Sequence, residues 1–149
     1  MNKATSPMDI ALREAREAGQ RDEVPVGAVL VMEGAIIASD GNRTRQLLDP
    51  TAHAEMLVIR EAAQTLGQER LAGADLYVTL EPCAMCAAAI SHARIRRLYF
   101  GAWDAKMGAV TNGPHFFQQP TCHHAPEVYD GMAASEAEEL LTAFFAAKR

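Results

Sequence analysis

The sequence predicts an α/β protein, a three-layer α/β/α arrangement in which helices cover both faces of a central mixed β-sheet. β-Branched runs alternate with segments whose apolar residues recur at helical spacing, the pattern of strands covered by helices. A tight turn joins the first two of those runs, so at least one strand pair is antiparallel and the sheet is mixed.

Ser6 before Pro7 is a helix start, an N-cap followed by a residue suited to the first helical position. Met8, Ala11, Leu12, Ala15 and Ala18 repeat along one face until Gly19 ends the run. Val26 to Val31 reads as a strand, Glu33 and Gly34 as its turn, and Ala35 to Ser39 as the returning strand. Asp40 to Asp49 is polar and reads as a loop. Asp49 and Pro50 then open a second helix with Met56, Ile59, Ala63 and Leu66 on its apolar face. Leu76 to Leu80 is a buried strand, stopped by Glu81 and Pro82, and a third helix runs on to His92. Ala84, Ala87, Ala88, Ala89 and Ile90 leave that helix apolar on nearly all sides, so it is expected to be central. Ile95 to Gly101 is a further strand. Ala102 to Pro126 is too long for a simple connector, and such segments often carry function. Val128 and Tyr129 add a short strand. Ser135 and Glu138 read as a capping box for a last helix bearing Leu140, Leu141, Phe144 and Phe145.

At 149 residues the chain has the length of one domain, and residues 1–149 are expected to form one. No apolar run approaches the roughly 20 residues needed to span a bilayer, and MNKATSPMDI lacks the apolar core of a secretion signal. A cytoplasmic protein with no membrane partner is the expectation. A net charge of −5 excludes a protein that holds nucleic acid by a general basic field, so any RNA contact must be local. The three cysteines are an odd number and two stand as CAMC, which favours metal ligation over a disulfide framework.

Two motifs carry the chemistry. Thr51-Ala52-His53-Ala54-Glu55 opens one helix and Glu81-Pro82-Cys83-Ala84-Met85-Cys86 opens the next. Cysteines three apart share a helix face, and the positive end of a helix favours the thiolate that binds metal. With His53 they make three ligands, which leaves the fourth position of a tetrahedral zinc site for water and marks the site as catalytic. Zinc brings the pKa of that water to about 7. Glu55 stands two residues from His53, about 200° around a regular helix, but a first-turn side chain can reach over the helix end. A carboxylate there can take a proton from the water and deliver it to a ring nitrogen and a leaving amine. A lone histidine at a helix start is more often a cap, and CxxC alone is also found in structural zinc and redox sites. The joint pattern HxE followed by PCxxC is the recorded signature of zinc deaminases, and it points to catalytic zinc, one per subunit.

From Arg21 onward the chain resembles the bacterial tRNA-specific adenosine deaminases of the TadA type. The resemblance rests on DEVPVGAVLV at 22–31, DPTAHAEM at 49–56, LYVTLEPCAMCAAAI at 76–90 and GAWDAKMGA at 101–109. The metal motif fixes only the wider cytidine and deoxycytidylate deaminase superfamily. Asp104 to Ala109 and the Phe144-Phe145 pair, with Lys148 and Arg149, are similar to the tRNA enzymes in particular. The resemblance implies a cytidine deaminase-like fold, a homodimer, and a tRNA anticodon stem-loop as substrate. The reaction it implies converts the wobble adenosine of an arginine tRNA to inosine, by attack of zinc-activated water on C6 with Glu55 as proton shuttle. It further implies that Asn42 and the backbone of Ala54 contact the base, that Val26 lines the pocket and that Asp104 lies near the sugar. Lys106, Phe145 and Arg149 are the candidate RNA contacts, beside a wider set of basic residues at Arg94, Arg96, Arg97 and Lys148. The chain departs from the family in Gly41-Asn42-Arg43-Thr44, where relatives carry a tryptophan and a proline. It departs again after Ala109, where Val110-Thr111-Asn112-Gly113 replaces glycine-serine-leucine.

Two other readings use the same residues. A deaminase of a free base or nucleotide, guanine or cytosine, would share the zinc site. A non-catalytic zinc-stabilised RNA-binding subunit would not need Glu55. Cys122, His123 and His124 are a second group of ligand types, although adjacent histidines usually point in different directions.

Overall fold

The computed structural model describes residues 5–148. Helix α1 (Pro7–Gln20) begins as expected: Ser6 accepts from Asp9 N, the Asp9 side chain accepts from Ser6 N, and Pro7 occupies the first turn. Met8, Ala11, Leu12, Ala15 and Ala18 are its buried face. Strands β1 (Gly27–Met32) and β2 (Ala35–Gly41) form the hairpin, followed by α2 (Ala54–Leu66), β3 (Asp75–Leu80), α3 (Ala84–His92) and β4 (Arg97–Ala102). A 3₁₀ turn (Phe116–Gln118), β5 (Glu127–Tyr129) and α4 (Ala134–Ala147) complete the order.

The strands form one sheet in the order β2-β1-β3-β4-β5. β1 runs antiparallel to β2 and β3, whereas β3, β4 and β5 are parallel, so the sheet is mixed. Strand alternation divides the core. Ala28, Leu30, Leu76, Val78, Leu98 and Phe100 join α2 and α3 in the larger cluster. Val29 and Tyr77 pack with Met8, Ala11, Leu12 and Ala137 in the smaller cluster beneath α1 and α4. These are the three expected layers. No helix among the described residues is long and apolar enough to cross a membrane.

α1 lies hard against β1 at Gly27, where an added Cβ would stand 2.6 Å from Ala15 N and closer still to the Ala11 carbonyl. Helix backbone cannot yield as a side chain can. Gly27→Ala is therefore expected to lower the unfolding free energy by about 1–3 kcal/mol. Urea denaturation of the zinc-loaded protein measures this, and a change below about 0.5 kcal/mol, the range of a neutral surface substitution, would contradict it.

Four local expectations are corrected. α2 begins at Ala54, because Asp49 Oδ1 accepts from Thr51 N and Oγ1 and holds 49–51 as a turn. Its buried face is Ala54, Glu55, Val58 and Ala62, leaving Met56, Ile59, Ala63 and Leu66 half-buried. α3 buries Cys86, Ala87, Ile90 and Ser91, but Ala84 is exposed and Met85, Ala88 and Ala89 are half-buried. α4 starts at Ala134 behind an Ala133 in the left-handed region (φ 58°), so Ser135 lies inside the helix and caps nothing.

Candidate active site

The site lies where the carboxyl ends of β3 and β4 meet the start of β1, the edge at which open α/β sheets bind ligands. Two helices begin there. His53 is the N-cap of α2 and Cys83 the N-cap of α3, and neither side chain caps its own helix. Both are turned to each other instead: His53 Nδ1 is 3.7 Å from Cys83 Sγ and 3.5 Å from Cys86 Sγ. Tetrahedral zinc, about 2.3 Å from sulfur and 2.1 Å from nitrogen, requires S–N separations of about 3.6 Å. The observed edges fit that ion, and one nitrogen with two sulfurs is a zinc donor set. Among the described residues, His53, Cys83 and Cys86 are the one such group.

The electrostatics suit a cation. The Cys86 thiol hydrogen-bonds the Cys83 sulfur and, against the effect of burial, so does the His53 ring, which brings Cys83 down to about 4. Cys83 in turn raises the His53 pKa. Cys86, sharing a proton with Cys83 and buried, is pushed up. A metal ion bound here would take the place of these shared protons.

Glu55 is 4% exposed, and burial raises its carboxyl to about 7 against its own backbone N–H and the His53 ring. His53 has extended backbone as a cap, so counting 200° around a helix does not apply to the pair. Both line a cavity of about 220 Å³ with Val24, Val26, Asn42, Leu80, Cys83, Asp104 and Met107. Asn42 is locked at the rim. Its Nδ2 donates to the Val24 carbonyl at 3.1 Å and its Oδ1 accepts from Ala54 N at 2.8 Å, replacing the cap His53 does not provide. A base that reached Ala54 N would share that donor with Asn42. Asp104 Oδ1 accepts from Lys106 N and Met107 N.

The remaining candidates lie elsewhere. Lys106 is exposed and borders a second cavity of about 420 Å³ that shares His53, Cys83 and Met107 with the first. Phe145 is 46% exposed on α4, across the sheet from α2 and α3, and Arg149 lies outside the described residues. Lys148 is paired with Asp22. Arg96 pairs with Asp75, and Arg97 lies 3.8 Å from Glu127, at the end of the sheet away from the site. Cys122, His123 and His124 do not converge: the Cys122 thiol donates to the His124 carbonyl and the His124 ring meets the Ile95 carbonyl at 2.7 Å.

Two buried carboxylates escaped the sequence reading. Glu23 accepts from Thr44, Arg45 N and Gln46 N on one side of the cavity. Glu81 accepts from the 104–112 loop on the other; burial alone would raise its pKa, but these hydrogen bonds hold it below the ordinary carboxylate value. The available signal was an acid next to a buried strand in each motif, Glu23 before VPVGA and Glu81 before PC.

Residues 1–102 match the family model for the cytidine and deoxycytidylate deaminase zinc-binding region. A tRNA-specific adenosine deaminase of Agrobacterium fabrum is 67% identical over 149 residues, covering 100% of this chain and 98% of that one. This chain belongs to the tRNA-specific adenosine deaminases. A solved wobble-position tRNA deaminase of A-to-I editing superposes with a TM-score of 0.90 at 70% identity, covering 91% of this chain and 98% of its own. Guanine deaminase from Bacillus subtilis covers 99% of this chain and 94% of its own, with 31% identity and a TM-score of 0.65. The chain is thus a zinc-dependent deaminase, with one zinc site per subunit.

Proposed function

We propose that this chain hydrolyses adenosine to inosine at the wobble position of a tRNA anticodon, in an arginine tRNA as the resemblance implies. The observation that carries the reading is the convergence of His53, Cys83 and Cys86 with buried Glu55 on one cavity, in a member of this family. His53, Cys83 and Cys86 would hold zinc, which would supply a water acidified to a pKa of about 7 and so a nucleophile at neutral pH. The side chains do the rest. Glu55 takes one proton from the water as it adds to C6 and hands it to N1, then takes the second from the new C6 hydroxyl and gives it to the amine, which leaves as ammonia while C6 becomes the carbonyl of inosine. Val26 supplies an apolar wall for the purine, Asn42 and the Ala54 backbone meet its polar edge, and Asp104 faces the sugar. Lys106, beside the site, meets the phosphates of the flanking loop, and the resemblance adds Phe145 and Arg149 as further RNA contacts.

In this proposal residues 1–149 form one deaminase domain that acts in the cytoplasm as a homodimer. Support for a second copy comes from α3, apolar on nearly all sides yet uncovered at Ala84 and only half-covered at Met85, Ala88 and Ala89. The direct test is to incubate the purified protein with an anticodon stem-loop and look for inosine by mass spectrometry. Turnover confined to guanine or cytosine would replace the reading with a free-base deaminase on the same zinc site.

The ligand assignment has its own test. Purified protein is expected to hold about one zinc per chain, lost in Cys83→Ser and retained in Cys122→Ser. Full retention in the first variant with loss in the second would overturn the assignment.

A further inference from the structure

We propose that Glu81 is a positioning residue: its buried carboxylate gathers the backbone of the 104–112 loop and so sets Asp104 and Met107 against the substrate cavity. The proposal rests on the reading of the cavity as the substrate site. Glu81 is 2% exposed, and five donors converge on it from this one loop. Oε1 accepts from Asp104 N at 3.0 Å and Asn112 Nδ2 at 2.7 Å. Oε2 accepts from Val110 N at 3.1 Å, Thr111 N at 2.9 Å and Asn112 N at 3.0 Å. A carboxylate has about four lone-pair sites, so these donors saturate it and leave none for substrate. Although Glu81 borders the cavity, it acts through the loop and not on the base.

The loop is shaped to this anchor. Gly108 sits so close that an added Cβ would stand 2.5 Å from Glu81 Cδ. Gly108 also bridges to Cys83, and Ala109 N donates to the Pro82 carbonyl at 3.0 Å, so the loop closes over the strand end that carries the metal motif. Of the residues the loop presents to the cavity, Asp104 is one end of the carboxylate clamp and Met107 lies between it and the next anchored amide, Val110 N. The Val110-Thr111-Asn112 departure from the family is therefore part of the clamp, with Asn112 adding a side-chain donor.

No amide can replace this group. Glutamine has one carbonyl oxygen, and its NH₂ would face either two or three of the loop's donors. With buried donors left unpaired, the loop loses its set position while the zinc ligands, held by α2 and α3, stay in place. For zinc-loaded Glu81→Gln the expected result is a KM for the stem-loop raised about tenfold, with kcat within about threefold. Amide exchange at 104–112 should accelerate, with exchange in α2 and zinc content unchanged. Asn112→Ala, which removes a single donor, should move KM and exchange the same way by less.

An unchanged KM, or a fall confined to kcat, would overturn the proposal. If Glu81→Gln loses zinc or fails to fold, Asn112→Ala decides, and an unchanged KM and loop exchange in that variant would overturn it. Absence of stem-loop turnover in the unaltered protein would instead overturn the substrate reading; loop exchange in the variants then decides the role of Glu81.

Discussion

Replacing Glu55 by alanine is expected to leave a folded protein that keeps its zinc and loses about 10² to 10⁴ in kcat, the usual contribution of a general acid and base. The fold should survive because Glu55 stands in the first turn of α2 with its carboxyl in the cavity, and alanine is at home in a helix. The three ligands belong to other positions, so zinc should remain. Turnover should fall because burial places the carboxyl near 7, where it can accept a proton and give it back at neutral pH. Glu55→Gln separates shape from proton transfer, since it keeps the volume and removes the titration. Measured together, kcat, zinc content and the circular dichroism spectrum decide the matter. Near-normal turnover in either variant would remove Glu55 from the mechanism.

What the sequence made legible follows from the range of each signal. His53, Glu55, Cys83 and Cys86 are readable because the chemistry is written in local spacing and each motif sits at a helix start. The hairpin and the buried face of α1 are readable for the same reason. α2 starts later than its sequence implies because Asp49-Pro50 has the chemistry of a cap, and only the structure shows Asp49 spent on a turn with Thr51. Periodicity cannot show which side of α3 is covered when nearly every side is apolar. Glu23 and Glu81 were missed because their partners lie 21 to 31 residues away and are mostly backbone N–H groups, which carry no residue-type signal. Asn42 was named from the family resemblance, but its role as a substitute cap for Ala54 required the geometry.

Fold alone does not decide the substrate class, since a guanine deaminase shares this architecture. An unpaired anticodon base is already partly unstacked, so a loop avoids most of the cost of extruding a base from a duplex. If Asp104, Lys106 and the C-terminal residues engage sugar and neighbouring phosphates, much of the binding energy lies outside the purine. A free nucleoside forfeits it. The decisive measurement is kcat/KM for an arginine anticodon stem-loop against free adenosine at one fixed low salt concentration. The expected ratio is at least about 100 in favour of the stem-loop, equivalent to about 2.7 kcal/mol of transition-state stabilisation. Equal efficiency on the two substrates would contradict it.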